Sequence, residues 1–167
     1  VITPGECKVG VMPGEIYMPG KVGVVSRSGT LSYEIVYQLT KNDVGQSTCV
    51  VLGGDPVLGS DFIDVLKMFE SDPATEIVVL LGEIGGNFEI EAAKWIKRNM
   101  TKPVVGYVAG SMAPKEKVMG HDGVVVVGIH DSAEKKFEIL EDCTVHIVRS
   151  PDKVALKVKE LLVNNSH

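Results

Sequence analysis

KVGVVSRSGTLSYEIVYQL, residues 21–39, decides the fold class. Val22–Val25 is a short apolar run, and Leu31, Ile35, Val36 and Leu39 follow at helical spacing. Between them lies Ser26-Arg27-Ser28-Gly29-Thr30, a polar turn containing a glycine. A strand apolar on both faces, a turn and an amphipathic helix make the first half of a strand–helix–strand unit. The pattern recurs along the chain. Thr48–Leu52 is ended by Gly53-Gly54-Asp55-Pro56, and Ser60 precedes the stripe Phe62, Val65, Leu66, Phe69. Ile77–Leu81 runs into Gly82-Glu83-Ile84-Gly85-Gly86, after which Asn87 is placed to cap a helix with Ala92, Ala93 and Ile96 inside. Val104–Ala109 and Val124–Val127 are the fourth and fifth runs; Asp131 and Glu134 resemble a capping box before Phe137 and Leu140. Val145–Val148 is the sixth run, and Ser150-Pro151 opens a last helix carrying Val154, Val158, Leu161 and Leu162.

Continuously apolar strands alternating with helices predict an α/β protein, with a doubly wound parallel sheet in a flavodoxin-like three-layer sandwich over residues 21–163. Residues 1–20 hold Pro4, Gly5, Gly10, Pro13, Gly14, Pro19 and Gly20 without periodicity, and are expected to be a linker running into that domain. Residues 164–167 are expected to be a disordered tail. The chain starts at Val1 with no basic stretch followed by an apolar one, so a fragment or a processed chain is expected.

Composition narrows the function. Of 167 residues, 44% are hydrophobic and 23% charged, as in globular proteins rather than disordered ones. The net charge is −5 and no Lys/Arg cluster interrupts it, which argues against nucleic acid or an anionic membrane as partner. No apolar run reaches the roughly 18–20 residues that span a bilayer. Cys7, Cys49 and Cys143 stand far apart with no CxxC, neither a disulfide framework nor a zinc site, and suit a reducing compartment. No metal site is predicted; His130, His146 and His167 receive no role.

In a doubly wound sheet, ligands bind beyond the carboxyl ends of the strands, which directs attention to the post-strand loops. Ser28-Gly29-Thr30 at a helix start presents backbone N–H groups and the positive end of the helix dipole to an anion. A plain helix cap by Ser28 or Thr30 explains the same residues, and on the loop alone it is the favoured reading. Glu83, set among Gly82, Gly85 and Gly86 after a buried strand, is placed to orient a neighbouring imidazole or to complement a helix dipole. His121, between Gly120 and Asp122-Gly123, sits on a loop at the same sheet edge. An acid, an imidazole nucleophile and an anion-binding helix end form a coherent set for phosphoryl transfer. A flavodoxin-like FMN carrier is disfavoured by the 5% aromatic content, and a serine hydrolase by Ser26 where a nucleophile elbow needs Gly.

Longer motifs carry a resemblance. Val1-Ile2-Thr3-Pro4-Gly5-Glu6-Cys7-Lys8, Ser26 to Glu34, Gly53-Gly54-Asp55-Pro56, Gly82-Glu83-Ile84-Gly85-Gly86, Lys102-Pro103-Val104-Val105-Gly106 and Met119-Gly120-His121 occur in order over nearly the whole chain. In them the chain resembles the C-terminal ligase domain of CoA ligases of the succinyl-CoA synthetase alpha-subunit type, and the related domain of ATP-citrate lyase. The resemblance implies a phosphohistidine at His121, oriented by Glu83, with Ser28, Gly29 and Thr30 starting the helix that receives the phosphate. It implies CoA bound mainly by a preceding domain, and Mg²⁺ with ATP or GTP on an ATP-grasp beta subunit, with homo-oligomer contacts possible. The expected compartment is the cytoplasm or the mitochondrial matrix. NDP-forming acetyl-CoA synthetase and citrate-lyase chemistry are the alternatives. Asp122 stands where the family has a small residue after the histidine, and Val118 where it often has a basic one, so a member that kept the fold without turnover is a more remote alternative.

Overall fold

The computed structural model describes residues 1–55, 59–110 and 133–165. Their order is β1 (Ile2–Thr3), β2 (Cys7–Lys8), β3 (Pro19–Ser26), α1 (Gly29–Lys41), β4 (Gln46–Val51), α2 (Phe62–Ser71), β5 (Ile77–Glu83), α3 (Phe88–Asn99), β6 (Val104–Ala109), α4 (Ala133–Asp142), β7 (His146–Ile147) and α5 (Val154–Asn164). The strands form one sheet in the order β2-β1-β4-β3-β5-β6-β7. From β4 to β7 every pairing is parallel, with Val24 beside Cys49 on one flank and Val79 on the other. The hairpin β1–β2 adds antiparallel strands to the β4 edge. Among the described residues this is the three-layer α/β architecture expected. The fifth apolar run, Val124–Val127, and the Asp131 box lie outside them.

The apolar runs are continuous because both faces of the sheet are covered. Val25, Val78, Leu80, Val104 and Val108 meet α2, α3 and α4 through Phe62, Leu66, Ala93, Ile96 and Phe137. Val22, Val24, Val79, Leu81 and Val105 meet α1 and α5 through Ile35, Leu39, Val154 and Val158. Period-2 alternation therefore sorts side chains between two cores rather than between core and water.

Local signals hold with two shifts. Helix α2 is capped by Asp61, which exchanges bonds with Asp64 in a capping box. Asn87 occupies the N-cap position of α3, but its side chain caps no amide among the described residues; its carbonyl accepts from Ile90 and Glu91 instead. The stretch expected as a linker is docked on the domain: Ile2, Met12 and Tyr17 are buried in the α1 layer. Burial there pushes the Cys49 thiol up to about 12, and the neighbouring Tyr17 hydroxyl is also raised, chiefly by burial. Both stay protonated at neutral pH and do no acid–base work. Helix α5 runs to Asn164, and residues 166–167 lie outside the described residues. No helix among the described residues is long and apolar enough to cross a membrane.

Candidate functional site

The chain leaves β3 for α1 and β4 on one side, then crosses back so that β5 lands on the other side of β3. This reversal is the topological switch point, where the loops after neighbouring strands diverge and open a crevice. The loops that diverge here are Arg27-Ser28, after β3, and Ile84-Gly85-Gly86, after β5. Two of the three elements singled out from sequence, Glu83 and Ser28–Thr30, thus meet at one crevice. The third, His121, lies outside the described residues.

At the start of α1, Ser28 is the N-cap and its Oγ accepts from the Leu31 amide at 3.4 Å. Its own amide donates to Ser26 Oγ at 3.0 Å. The first intrahelical bond runs from the Ser32 amide to the Ser28 carbonyl, at 3.2 Å. No described residue accepts from the amides of Gly29 or Thr30, the first two of the helix. No acidic side chain occupies the first turn, and Thr30 is exposed. Capping and anion binding are therefore not rivals here. Ser28 satisfies Leu31, and two amides at the positive end of a thirteen-residue helix remain to face an anion.

Glu83 ends β5 and is buried, as are three charged residues that sequence reasoning passed over: Arg27, Glu89 and Lys136. Arg27 follows β3; its Nε lies 3.3 Å from Glu83 Oε1 and its Nη1 3.7 Å from Glu89 Oε1. The same Nη1 donates to the Gly85 carbonyl at 3.2 Å, and the guanidinium stacks 5.0 Å from the Phe88 ring centre. Lys136, wholly buried on α4, donates to the Glu83 carbonyl and the Gly85 carbonyl, each at 2.8 Å. It also donates to Glu89 Oε2 at 2.5 Å. The other oxygen of Glu89 accepts from the Glu83 amide at 3.1 Å. Two cations thus face two carboxylates at the carboxyl edge of the sheet. Isolated, any one of these charges would cost several kcal/mol to bury, in the range of about 3–5 kcal/mol when a partner is removed.

The glycines of this loop have separate reasons. A Cβ at Gly82 would stand 2.5 Å from Glu89 Cγ, so the missing side chain is what admits Glu89 to the strand end. Gly85 and Gly86 have φ of 86° and 65°, a left-handed turn that aims the Gly85 carbonyl back at Arg27 and Lys136. The missed residues did leave a trace in the sequence. Glu89 falls on the inner stripe of α3 with Ala93 and Ile96, and Lys136 on the inner stripe of α4 with Ala133, Phe137 and Leu140. A charge on an apolar stripe signals a buried partner.

With this geometry in view, the comparisons with known proteins decide the family. The CoA-ligase family matches residues 25–145, most of the chain. The chain belongs to the CoA-ligase family. The CoA-ligase chain is 55% identical over 154 residues to the alpha subunit of the ADP-forming succinate–CoA ligase of Staphylococcus aureus, covering 92% of this chain and 51% of the relative. The Staphylococcus epidermidis counterpart is 54% identical over the same span. This CoA-ligase chain thus spans about half the length of the curated relatives it matches. Among solved structures, ATP citrate lyase from Methanothrix soehngenii, in complex with citrate and coenzyme A, superimposes with a TM-score of 0.88 at 28% identity. That match covers 99% of this chain and 29% of the lyase chain.

Proposed function

We propose that this CoA-ligase chain is the phosphohistidine-carrying half of the alpha subunit of an NDP-forming acid–CoA ligase. The acid is succinate, in keeping with 55% identity to a succinate–CoA ligase alpha subunit against 28% to a citrate lyase. In one direction the reaction is succinyl-CoA + Pi + NDP to succinate + CoA + NTP. The observation that carries this reading is the placement, at the carboxyl ends of the adjacent strands β3 and β5 of a CoA-ligase fold, of the Gly29 and Thr30 amides, which no described residue accepts from, and of the buried carboxylate of Glu83.

His121 is the nucleophile in this reading. One ring nitrogen attacks the phosphorus of succinyl phosphate; the P–N bond forms as the bond to the succinate oxygen breaks and succinate leaves. The phosphoryl group then passes to the terminal oxygen of NDP, and the P–N bond breaks to restore the imidazole. Glu83 accepts a hydrogen bond from the protonated ring nitrogen, fixing the tautomer and stabilising the charge that builds on the ring. The start of α1, with two amides that no described residue accepts from and no acid in its first turn, fits a phosphate. The succinyl phosphate forms when phosphate attacks the thioester carbonyl of succinyl-CoA; the C–S bond breaks and CoA, held mainly by a preceding domain, leaves as the thiol. Mg²⁺ and ATP or GTP belong to an ATP-grasp beta subunit, and the assembly works in the cytoplasm or the mitochondrial matrix.

The test is phosphorylation of the full alpha chain, in complex with its beta subunit, by γ-labelled nucleotide and Mg²⁺. An acid-labile phosphate mapped to His121 and lost in His121→Asn is the expected result. An assembled complex that takes up no label, or labelling unchanged in His121→Asn, would overturn the assignment. Label on His121 would also show that Asp122 at its side is compatible with a phosphorylated imidazole.

A further inference from the structure

Arg27 stands between two carboxylates. Its Nε is 3.3 Å from Glu83, its Nη1 3.7 Å from Glu89, and the side chain has almost no contact with water. Which carboxylate it serves depends on what else neutralises them. Glu89 is fully buried and has its own cation, Lys136, at 2.5 Å. With that ammonium in place, the guanidinium is left to the nearer acid, Glu83. Without it, Glu89 would be a buried carboxylate whose remaining cation among the described residues is Arg27. Attraction between charges rises steeply in a dry interior, so the guanidinium would be drawn to Glu89 and away from Glu83. Lys136 also holds the backbone, because its two carbonyl bonds tie the end of β5 to α4 at Glu83 and Gly85.

We propose that Lys136 and Glu89 are a positioning pair that keeps Arg27 on Glu83, so that α3 and α4 set the charge and aim of the carboxylate at the switch point. The function of this arrangement rests on the assignment of Glu83 as the acid that orients His121. The described charged groups facing Glu83 are Arg27 from the β3–α1 turn, Glu89 from α3 and Lys136 from α4. A carboxylate that orients an imidazole must stay ionised and fixed. Arg27 is the cation beside Glu83, Glu89 is the neighbouring anion, and Lys136 is the cation beside Glu89.

The experiment uses the full alpha–beta complex and follows the rate of acid-labile phosphate formation against pH in the variant Lys136→Met. The rate is expected to fall about 10²-fold, the loss typical of a misplaced catalytic group, with KM for nucleotide unchanged and the acidic limb of the pH–rate profile moved to higher pH. The double variant Lys136→Met/Glu89→Gln removes cation and anion together and is expected to recover most of the rate. A loss that follows only the folded fraction, with an unmoved pH profile, would overturn the proposal. If Lys136→Met does not fold, Glu89→Gln supplies the opposite arm: Arg27 then serves Glu83 alone, and the acidic limb moves to lower pH. An unmoved limb there is equally fatal. A crystal structure of the Lys136→Met complex, or of Glu89→Gln if the first does not fold, separates this inference from the functional reading on which it rests. Should the wild-type complex carry no phosphate on His121, the functional reading falls. Arg27 nearer Glu89 in Lys136→Met, or closed onto Glu83 in Glu89→Gln, would still uphold the pair's hold on it. Arg27 unmoved in the variant would refute that hold.

Discussion

At the carboxyl edge of the sheet, Lys136 and Glu89 lie 2.5 Å apart with both side chains wholly shielded from water. At the amino edge, Lys21 and Glu76 lie 2.6 Å apart with side chains 63% and 42% exposed. The two pairs have nearly the same geometry and opposite consequences. In water, solvation and salt cancel most of the attraction, and such a pair contributes about 0–1 kcal/mol. In the interior each ion depends on its partner, and removing one leaves the other stranded. The amino edge also has an open groove of about 530 Å³ lined by Lys21, Glu76, Thr101 and Lys102. There Lys102 spends its ammonium on the carbonyls of Phe69 and Asp72 at the end of α2, a helix-terminus role. Charge at the amino edge finishes helices and meets solvent; charge at the carboxyl edge is buried around the residues proposed for chemistry.

Breaking the buried pair should have the largest effect. Lys136→Met is expected to destabilise the chain by about 3–5 kcal/mol in urea unfolding, while Lys136→Met/Glu89→Gln returns most of that loss. A double variant no more stable than the single one would mean that the carbonyl bonds of Lys136, not its charge, matter. Next in size is Gly82→Ala, which puts a methyl group 2.5 Å from Glu89 Cγ, against the side chain of a wholly buried carboxylate. About 1–3 kcal/mol of destabilisation is expected from overpacking, measured the same way. Ser28→Ala tests the crevice where it is less buried. The cap bond is long, 3.4 Å, so the loss should sit near the lower end of the ~0.5–2 kcal/mol range for caps. If phosphohistidine formation falls far more than stability does, the serine serves the anion as well as the helix. Smallest is Lys21→Ala at the other edge: a change in stability within about 1 kcal/mol, vanishing at high salt. A loss as large as that of Lys136→Met would erase the contrast between the two edges.

Much of the fold was legible because its signals are local. Apolar runs such as Ile77–Leu81 and the stripe Phe62, Val65, Leu66, Phe69 report burial within a few residues of one another, and the observed strands and helices follow them. Glu83 and Ser28–Thr30 were legible for the same reason, as polar residues and glycines in post-strand loops. The docking of residues 1–20 was not, because Ile2, Met12 and Tyr17 are single apolar residues among glycines and prolines whose burial depends on β4 and α1. Arg27, Glu89 and Lys136 were passed over as ordinary charges, although two of them interrupt apolar stripes.

Read alone, the amino-acid sequence carries the alternation of strand and helix, the covering of both sheet faces and the motifs of the CoA-ligase family. The first two are written in short windows by periodicity and turn chemistry; the motifs are a resemblance carried residue by residue along the chain. Which charges meet is visible only in the folded chain. Lys136 and Glu89 are 47 residues apart, and Arg27 and Gly85 are 58 apart. Whether a charge is a solvated ornament or the partner on which a buried carboxylate depends is set by the water left around it, and that is a property of the folded chain alone.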